Sequence, residues 1–384
     1  MRFEFATPTR IIFGEGTIQE AGAIAASIGK RAFVVTAKAA ETAGPLLETL
    51  HKSRIEYRTI TASREPTTAT VKTAVEEARQ TASDMVIAVG GGSAIDTGKV
   101  VAAMLTNAGE VEDYLEVVGA GQPLTQHPAP YIAIPTTAGT GAEVTRNAVL
   151  AVPERGVKVS MRSALLLPRL ALVDPELTYS MPASVTAGTG LDALTQLMEA
   201  YVSNQANPLT DGICRQGLER AGRSLRLVCE EPDNVPARRD MSLASLFGGL
   251  ALANAKLGAV HGFAGPLGGM ISAAHGVICA SLLPSVMQVN VRALQNHAAD
   301  SQALVRYDEV AGILTGRANA TADDGVRWVQ ELCAALKVEP LGKLGLKQTA
   351  LPEAVAKSQN SSSMKGNPIL LSQDELTRIL MMSL

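Results

Sequence analysis

Aromatic side chains are scarce in this chain: six Phe, six Tyr and one Trp make up 3% of 384 residues. Its core must therefore be built from Ala, Val, Leu, Ile and Met. Net charge is only −3 at pH 7, and no basic stripe interleaved with aromatics is present. Nucleic-acid binding has no footing without either. Cysteines are few as well, and Cys214, Cys229, Cys279 and Cys333 show no paired short spacing. That excludes a disulfide framework or a zinc-knuckle pattern and leaves buried or incidental thiols of a reducing compartment. The opening Met-Arg-Phe-Glu-Phe lacks a signal-peptide core, and no run of about 18 apolar residues marks a membrane span. A cytoplasmic protein without a membrane partner is expected.

What is present is ordinary in bulk and patterned in detail. Apolar content of 46% with 18% charged residues suits a soluble globular protein. The length exceeds the size at which single cores stop growing, so two domains are expected. Short β-rich runs alternate with helical stretches over the first 180 or so residues. Strands are expected at Arg31–Thr36, Ile55–Ile60, Met85–Val89, Tyr131–Ile134, Ala148–Val152, Val157–Met161 and Leu170–Val173. Helices are expected through about Lys52, over Thr67–Thr81 and from Ser93. Unbroken apolar strands separated by helices predict a parallel sheet covered on both faces. After Asp174-Pro175 the β signal fades into helical runs rich in Ala, Leu and Met. The boundary is placed near 180, giving an α/β domain over 1–180 and an all-α domain over 181–384.

Two loops carry ligand chemistry in the first half. Gly90-Gly91-Gly92-Ser93 follows the Met85–Val89 strand and precedes a helix containing Asp96 and Lys99. Its glycines let backbone N–H groups approach a ligand, Ser93 is a suitable N-cap, and a helix start favours a pyrophosphate. A tight structural turn is the competing reading. The pattern is no Walker loop, because Val100 follows Gly98-Lys99 and Ser93 stands where the first glycine belongs. The second loop, Pro135 to Glu143, follows the Tyr131–Ile134 strand. Its Gly139-Thr-Gly141 lacks the third glycine of the dinucleotide fingerprint, but Thr136, Thr137 and Thr140 still favour ligand contact at the carboxyl edge of the sheet.

The second half carries a different signal. His261 and His275, two of only five histidines, bracket one Gly/Pro-rich turn. Pro266 and Gly268-Gly269 are expected to interrupt any continuous helix, which puts the imidazoles at the ends of two different helices. Neutral imidazole is a common metal ligand. Asp192 opens another helical run and could complete an Asp/His/His site; a pair of ordinary hydrogen-bonded histidines is the alternative.

Taken jointly, Gly90 to Lys99, Pro135 to Thr145, Gly190 to Thr195 and His261 to Gly276 resemble the iron-containing (group III) alcohol dehydrogenases. The resemblance runs from Arg10–Gly16 to Met364–Pro368. It implies a Rossmann-like N-terminal domain for NAD or NADP, an all-helical C-terminal domain and a divalent metal, Fe²⁺ or Zn²⁺, in the cleft between them. It assigns Gly90, Gly91, Gly92 and Ser93 to the pyrophosphate, and Asp96 on the helix that follows to the cofactor site as well. Thr136, Thr137, Thr140 and Lys158 are assigned to the cofactor, although Lys158 is otherwise a solvent-facing lysine. Asp192, His261 and His275 become the metal and catalytic residues, with Gln196 as a further position in the metal set, and a homodimer or larger homo-oligomer is implied.

The sequence departs from the family pattern at three places. Gln196 stands where the family usually has a histidine, one turn after Asp192, and a neutral amide is a weaker ligand suited to a hard ion. Gly265 stands where a further histidine is usual, which removes the customary proton path and enlarges the pocket. Ala37 stands where an aspartate often repels a 2′-phosphate, and Lys38 lies beside it, so NADP is not excluded. Related glycerol dehydrogenases manage with Asp/His/His alone, and three ligands with open positions is a catalytic layout. The leading expectation is an NAD(P)-dependent alcohol dehydrogenase or aldehyde/ketone reductase acting on a small, metal-polarised carbonyl. The competing readings are a metal-independent reductase like maleylacetate reductase, a nucleotide-binding homologue without catalysis and, last, a lyase like dehydroquinate synthase.

Overall fold

In the computed structural model, which describes residues 2–37, 40–62 and 65–384, the chain forms two compact units. One comprises Ala6–Thr137 with Gly141–Ser180; the other comprises Met181–Leu384 with Ala138–Thr140 and the first residues through Phe5.

The first unit contains β1 (Arg10–Phe13), α1 (Ala21–Ala26), β2 (Arg31–Thr36), α2 (Ala40–Lys52), β3 (Glu56–Thr61) and α3 (Thr68–Gln80). It continues with β4 (Met85–Gly90), α4 (Gly92–Thr106), β5 (Tyr131–Pro135), β6 (Asn147–Val152), β7 (Val157–Arg162) and β8 (Leu170–Val173). Six strands form a parallel sheet in the order β1-β8-β5-β4-β2-β3. Successive side chains on a strand point to opposite faces, and this alternation builds two cores. Along β4, Val86 and Ala88 join Ile95, Val100 and Val101 of α4 on one face. Met85, Ile87 and Val89 join Leu46 and Leu50 of α2 on the other. Burying each such Val or Ile side chain contributes roughly 1.5–3 kcal/mol, which is why β4 carries no polar residue.

Three expectations are corrected here. β6 and β7 pair antiparallel as a separate two-stranded sheet and do not join the parallel one. β3 is an exposed edge strand rather than a covered apolar one. β1, a four-residue strand from the opening motif, pairs with β8 although no strand was expected there.

Helices make up the second unit: α5 (Ala183–Val202), α6 (Pro208–Glu230), α7 (Val235–Asn254), α8 (Ala259–Met270), α9 (His275–His297), α10 (Gln302–Thr315), α11 (Ala322–Ala335), α12 (Leu351–Gln359) and α13 (Gln373–Met382). They surround one core built mainly of Ala, Leu, Val and Met. Asp192 does not open its helix but lies in the middle of α5. Pro266 and Gly268-Gly269 do not interrupt α8, which runs on to Met270. An internal proline costs about 3 kcal/mol; burial of Val260, Phe263, Ala264 and Leu267 on the inner face offsets it. The break falls at Ile271–Ala274 instead. By length and hydropathy α9 could cross a membrane, but 78% of that window is buried inside the protein. Its apolar surface is consumed by the core.

Candidate active site

In the α/β unit, strand order decides where a ligand can sit. From β2 the chain proceeds outward to β3, then returns to place β4 on the other side of β2. The carboxyl ends of β2 and β4 therefore flank a topological switch point, where open α/β sheets bind ligands. Gly90-Gly91-Gly92 leaves β4 at that point. Ala37 donates its N–H to Val89 O at 3.1 Å, closing the floor of the crevice; Lys38 lies outside the described residues. A Cβ at Gly90 would stand 2.7 Å from the Ala94 Cβ and 3.0 Å from that of Ala37, so a side chain there would displace the loop.

The N-cap of α4 is Gly91, with no side-chain cap; Ser93 is already inside the helix, which corrects its expected role. A helix N-terminus directs its N–H groups and the positive end of its dipole toward an anion, and here the Ala94 N–H is turned back to Gly91 O at 3.0 Å. Thr136 donates its N–H to Gly90 O at 3.0 Å, and a Cβ on Gly91 would lie 3.3 Å from Thr137 Cγ2. The two loops singled out in the sequence are thus neighbours. Thr140 lies in the short segment that groups with the helical unit.

Nearby charges have partners within the same unit. Asp96 Oδ2 accepts from the Val149 N–H at 3.0 Å, tying α4 to β6. Lys99 is buried and donates to Thr145 Oγ1 at 2.7 Å and Asn147 O at 2.8 Å. Burial pulls its ammonium down to about 8. Burial pushes Glu143 up to about 7, against its own backbone N–H and Lys99. Lys158 pairs with Glu65 at 2.5 Å.

In the helical unit, α5 projects Asp192, Gln196 and Glu199 from one face, at i, i+4 and i+7. The first turns of α8 and α9 bring His261 and His275 to that face. The approach of α9 to α5 depends on glycine: a Cβ on Gly276 would lie 2.5 Å from Gly188 O. His261 Nε2 stands 3.2 Å from Asp192 Oδ1, and His275 Nε2 stands 3.9 Å from the same oxygen. Cys279, one turn after His275, closes the group, with its Sγ 3.6 Å from His275 Nε2 and 3.9 Å from His261 Nε2. All four donor atoms lie within 4.8 Å of one another. Cys279 is thus a buried thiol that faces both imidazoles. Its i+4 spacing from His275 is the signal in the sequence, and it places the two side chains on one helix face only once both lie in α9.

Glu199 is the second residue that the sequence reading missed. Its Oε2 lies 2.7 Å from His261 Nδ1, and its Oε1 accepts the Val260 N–H at 2.6 Å. A carboxylate on an α-helical N-terminus is favourable, and here it also fixes the imidazole. Asn367, from the Met364–Pro368 motif, accepts the adjoining Ala259 N–H at 3.1 Å. With Nδ1–H directed at Glu199, His261 Nε2 either carries a second proton or turns a lone pair onto the Asp192 carboxylate. A proton on Nε2, or a cation between the two groups, satisfies that contact.

The ionisation directions agree. Burial opposes a charge on His261, but Cys279, Asp192 and Glu199 together carry its pKa well above the usual value. Cys279 raises His275 as well, against burial. Burial alone would raise Asp192, yet His275 and His261 leave it lowered. Gln196 donates Nε2–H to Gly139 O at 3.3 Å, and its Oε1 is buried without a hydrogen-bond partner.

A glycine loop at a switch point of a parallel sheet, carried on the same chain as a buried acid–imidazole cluster, is the equipment of a dinucleotide-dependent dehydrogenase. The family model described as iron-containing alcohol dehydrogenase matches residues 8–175, and that of the family's C-terminal region matches 186–384. Alcohol dehydrogenase 4 of Schizosaccharomyces pombe is 34% identical over 383 residues, covering 98% of this chain and 87% of the relative. A crystal structure of 1,3-propanediol oxidoreductase superimposes with a TM-score of 0.92 at 31% identity, covering 100% of both chains. Sulfoacetaldehyde reductase of Bifidobacterium kashiwanohense, solved with NAD⁺, gives 0.88 at 29% identity, covering 100% of this chain and 99% of that one. The chain belongs to the iron-containing alcohol dehydrogenase family. It is an NAD-dependent alcohol oxidoreductase acting on CH–OH groups, from a family that uses NAD(H) and a divalent metal on small alcohols and aldehydes.

Proposed function

We propose that the chain is an NAD(P)-dependent alcohol dehydrogenase, or aldehyde/ketone reductase in the reverse direction, with Asp192, His261 and His275 holding a divalent ion. The observation that carries this reading is His261: its Nδ1 is committed to Glu199 and its Nε2 faces Asp192 Oδ1 at 3.2 Å. A carboxylate–histidine pair of that kind orients a metal-binding imidazole and raises its basicity. When bound, the ion supplies Lewis acidity toward a carbonyl or alkoxide oxygen, and the nicotinamide supplies or takes the hydride.

The chain's own part is placement. Residues 1–180 serve as the NAD(P)-binding domain, with Gly90, Gly91, Gly92 and Ser93 offering backbone donors to the pyrophosphate. Thr136, Thr137, Thr140 and Lys158 line the cofactor, and Asp96 secures α4 beneath it. Residues 181–384 serve as the metal and substrate domain. Ala37 brings no acid to the carboxyl end of β2, so a 2′-phosphate meets no repulsion from that residue and both NAD and NADP are admitted.

Gly265 lies one turn after His261, and a Cβ placed there has no heavy atom within 4 Å. That space supports a substrate larger than ethanol, such as a diol or hydroxy acid, and leaves no ionisable group at the position to carry the alcohol proton. The four cysteines are free thiols, in keeping with a reducing cytoplasm, and family membership supports a homo-oligomer.

The test is elemental analysis of freshly purified protein alongside titration with NADH and NADPH. One divalent ion per chain and nicotinamide-dependent turnover of short diols and hydroxy acids are expected. Turnover that survives exhaustive chelation would move the chain to the metal-independent reductases. Absence of any cofactor-dependent absorbance change across alcohols, aldehydes and oxoacids would leave a nucleotide binder without catalysis.

A further inference from the structure

We infer that Cys279 is a metal ligand, so that the ion sits among one carboxylate, two imidazoles and a thiolate, a donor set that favours zinc over ferrous iron. The inference rests on the reading of Asp192, His261 and His275 as a metal centre and adds the fourth donor and the identity of the ion.

Geometry is the first argument. A tetrahedral ion with bonds of about 2.0–2.1 Å to N or O and about 2.3 Å to S spaces its N and O donors by about 3.4 Å and its N and S donors by about 3.6 Å. The donor atoms here are separated by 3.2 Å for His261 to Asp192, 3.9 Å for His275 to Asp192, 3.6 Å for Cys279 to His275 and 3.9 Å for Cys279 to His261. Each of these four separations lies within about half an ångström of the tetrahedral spacing, and all four donor atoms lie within 4.8 Å of one another, which puts them within reach of one ion. Among the described residues this is the only such group of His, Cys, Asp and Glu atoms.

Placement is the second. Cys279 sits one helical turn beyond His275 on a helix whose first turn is pressed against α5 by the Gly276–Gly188 contact. Its sulfur is buried and directed at both imidazoles, while Cys333 directs its sulfur to a backbone carbonyl, Ala280 O, at 3.9 Å. On α5, one turn after Asp192, the Gln196 amide nitrogen is held by Gly139 O.

Chemistry is the third. A thiolate is a soft donor that selects zinc over hard ions, and nitrogen and oxygen sites already bind zinc more tightly than ferrous iron. Binding expels the thiol proton, since the thiolate is the ligating form.

The experiment is a Co²⁺ titration of the metal-free full chain, read by absorbance, with the wild type, Cys279→Ser, Cys279→Ala and His261→Ala compared. NADH binding by fluorescence serves as the folding control. The expected result is one Co²⁺ per wild-type chain with a thiolate-to-cobalt charge-transfer band in the near ultraviolet. Cys279→Ser and Cys279→Ala should keep NADH binding, lose that band, and lower the Zn²⁺-over-Fe²⁺ preference in competition by about tenfold or more. Stoichiometric Co²⁺ binding in the wild type without the band, or identical ion preference in wild type and Cys279→Ser, overturns the role of Cys279 and leaves the three-residue centre standing. Absence of Co²⁺ binding in a wild type that still binds NADH overturns both, and binding unchanged in His261→Ala places the ion elsewhere and likewise overturns both.

Discussion

The α/β unit and the helical unit assemble their functional groups by opposite means. At the sheet, Gly90 to Ser93 are contiguous: one strand end, one turn and one helix start supply the whole phosphate-type loop. In the helices, Asp192, Glu199, His261, His275 and Cys279 span 88 positions and meet only because α8 and α9 direct their first turns at the middle of α5. A contiguous loop needs only local backbone geometry. A cluster drawn from three helices needs the packing that sets their distance, and Gly276 against Gly188 is the tightest point of it. The contrast teaches that damage to the first site should stay local, whereas damage to the second should arise from positions that touch no ligand.

Removing the acid should give the largest effect. Asp192→Asn leaves His261 Nε2 facing a neutral amide, and loss of a Lewis-acid site worth several kcal/mol should lower kcat/KM by roughly 10³-fold or more. Metal content by elemental analysis should fall with it, while NADH affinity stays within about twofold of wild type. A large loss of NADH binding would break the proposed separation of the two sites.

Gly276→Ala tests packing directly. A Cβ 2.5 Å from Gly188 O must push α9 from α5, at a cost of about 1–3 kcal/mol in unfolding free energy, with metal content lost as well. The local counterpart is Gly90→Ala, whose Cβ would crowd Ala94 and Ala37. It should weaken nicotinamide binding by roughly tenfold to a hundredfold, the same range of energy, and leave metal content unchanged. Should the two variants exchange these phenotypes, the comparison fails.

Glu199→Gln probes the residue that orients His261. Such partners are typically worth 10- to 100-fold in metal affinity, so a competitive chelator titration should show a loss in that range with no change in nucleotide binding.

Smallest is the pH dependence set by Glu143, which belongs to the α/β unit. Its folded pKa lies near 7, above the ordinary 4.5, because of burial. Between those values the native state holds more protons than the unfolded chain, so its contribution to stability falls as pH rises. Glu143→Gln should remove on the order of 1–2 kcal/mol of that decline between about pH 5 and 7, read from urea midpoints at each pH.

The fold was largely legible because parallel strands are apolar runs. β2, β4, β5 and β8 lie within a residue of where hydrophobic patterning puts them. The misjudged elements were governed by contacts beyond the local pattern. β6 and β7 are apolar enough to read as sheet strands, but the turn at Pro153–Arg155 folds them onto each other. α8 keeps its helix across Pro266 because neighbours bury its inner face.

Composition and local pattern settled where the central strands β2, β4, β5 and β8 lie, that a glycine loop follows β4, and that Asp192, His261 and His275 stand on helices. They did so because backbone preference and the alternation of apolar side chains act over a few residues. Only the tertiary structure decided that Ser93 lies inside its helix, that Glu199 grips His261 and that Cys279 faces both imidazoles. Those facts depend on distances between segments far apart in the chain, and such distances are fixed by how closely packed helices can approach.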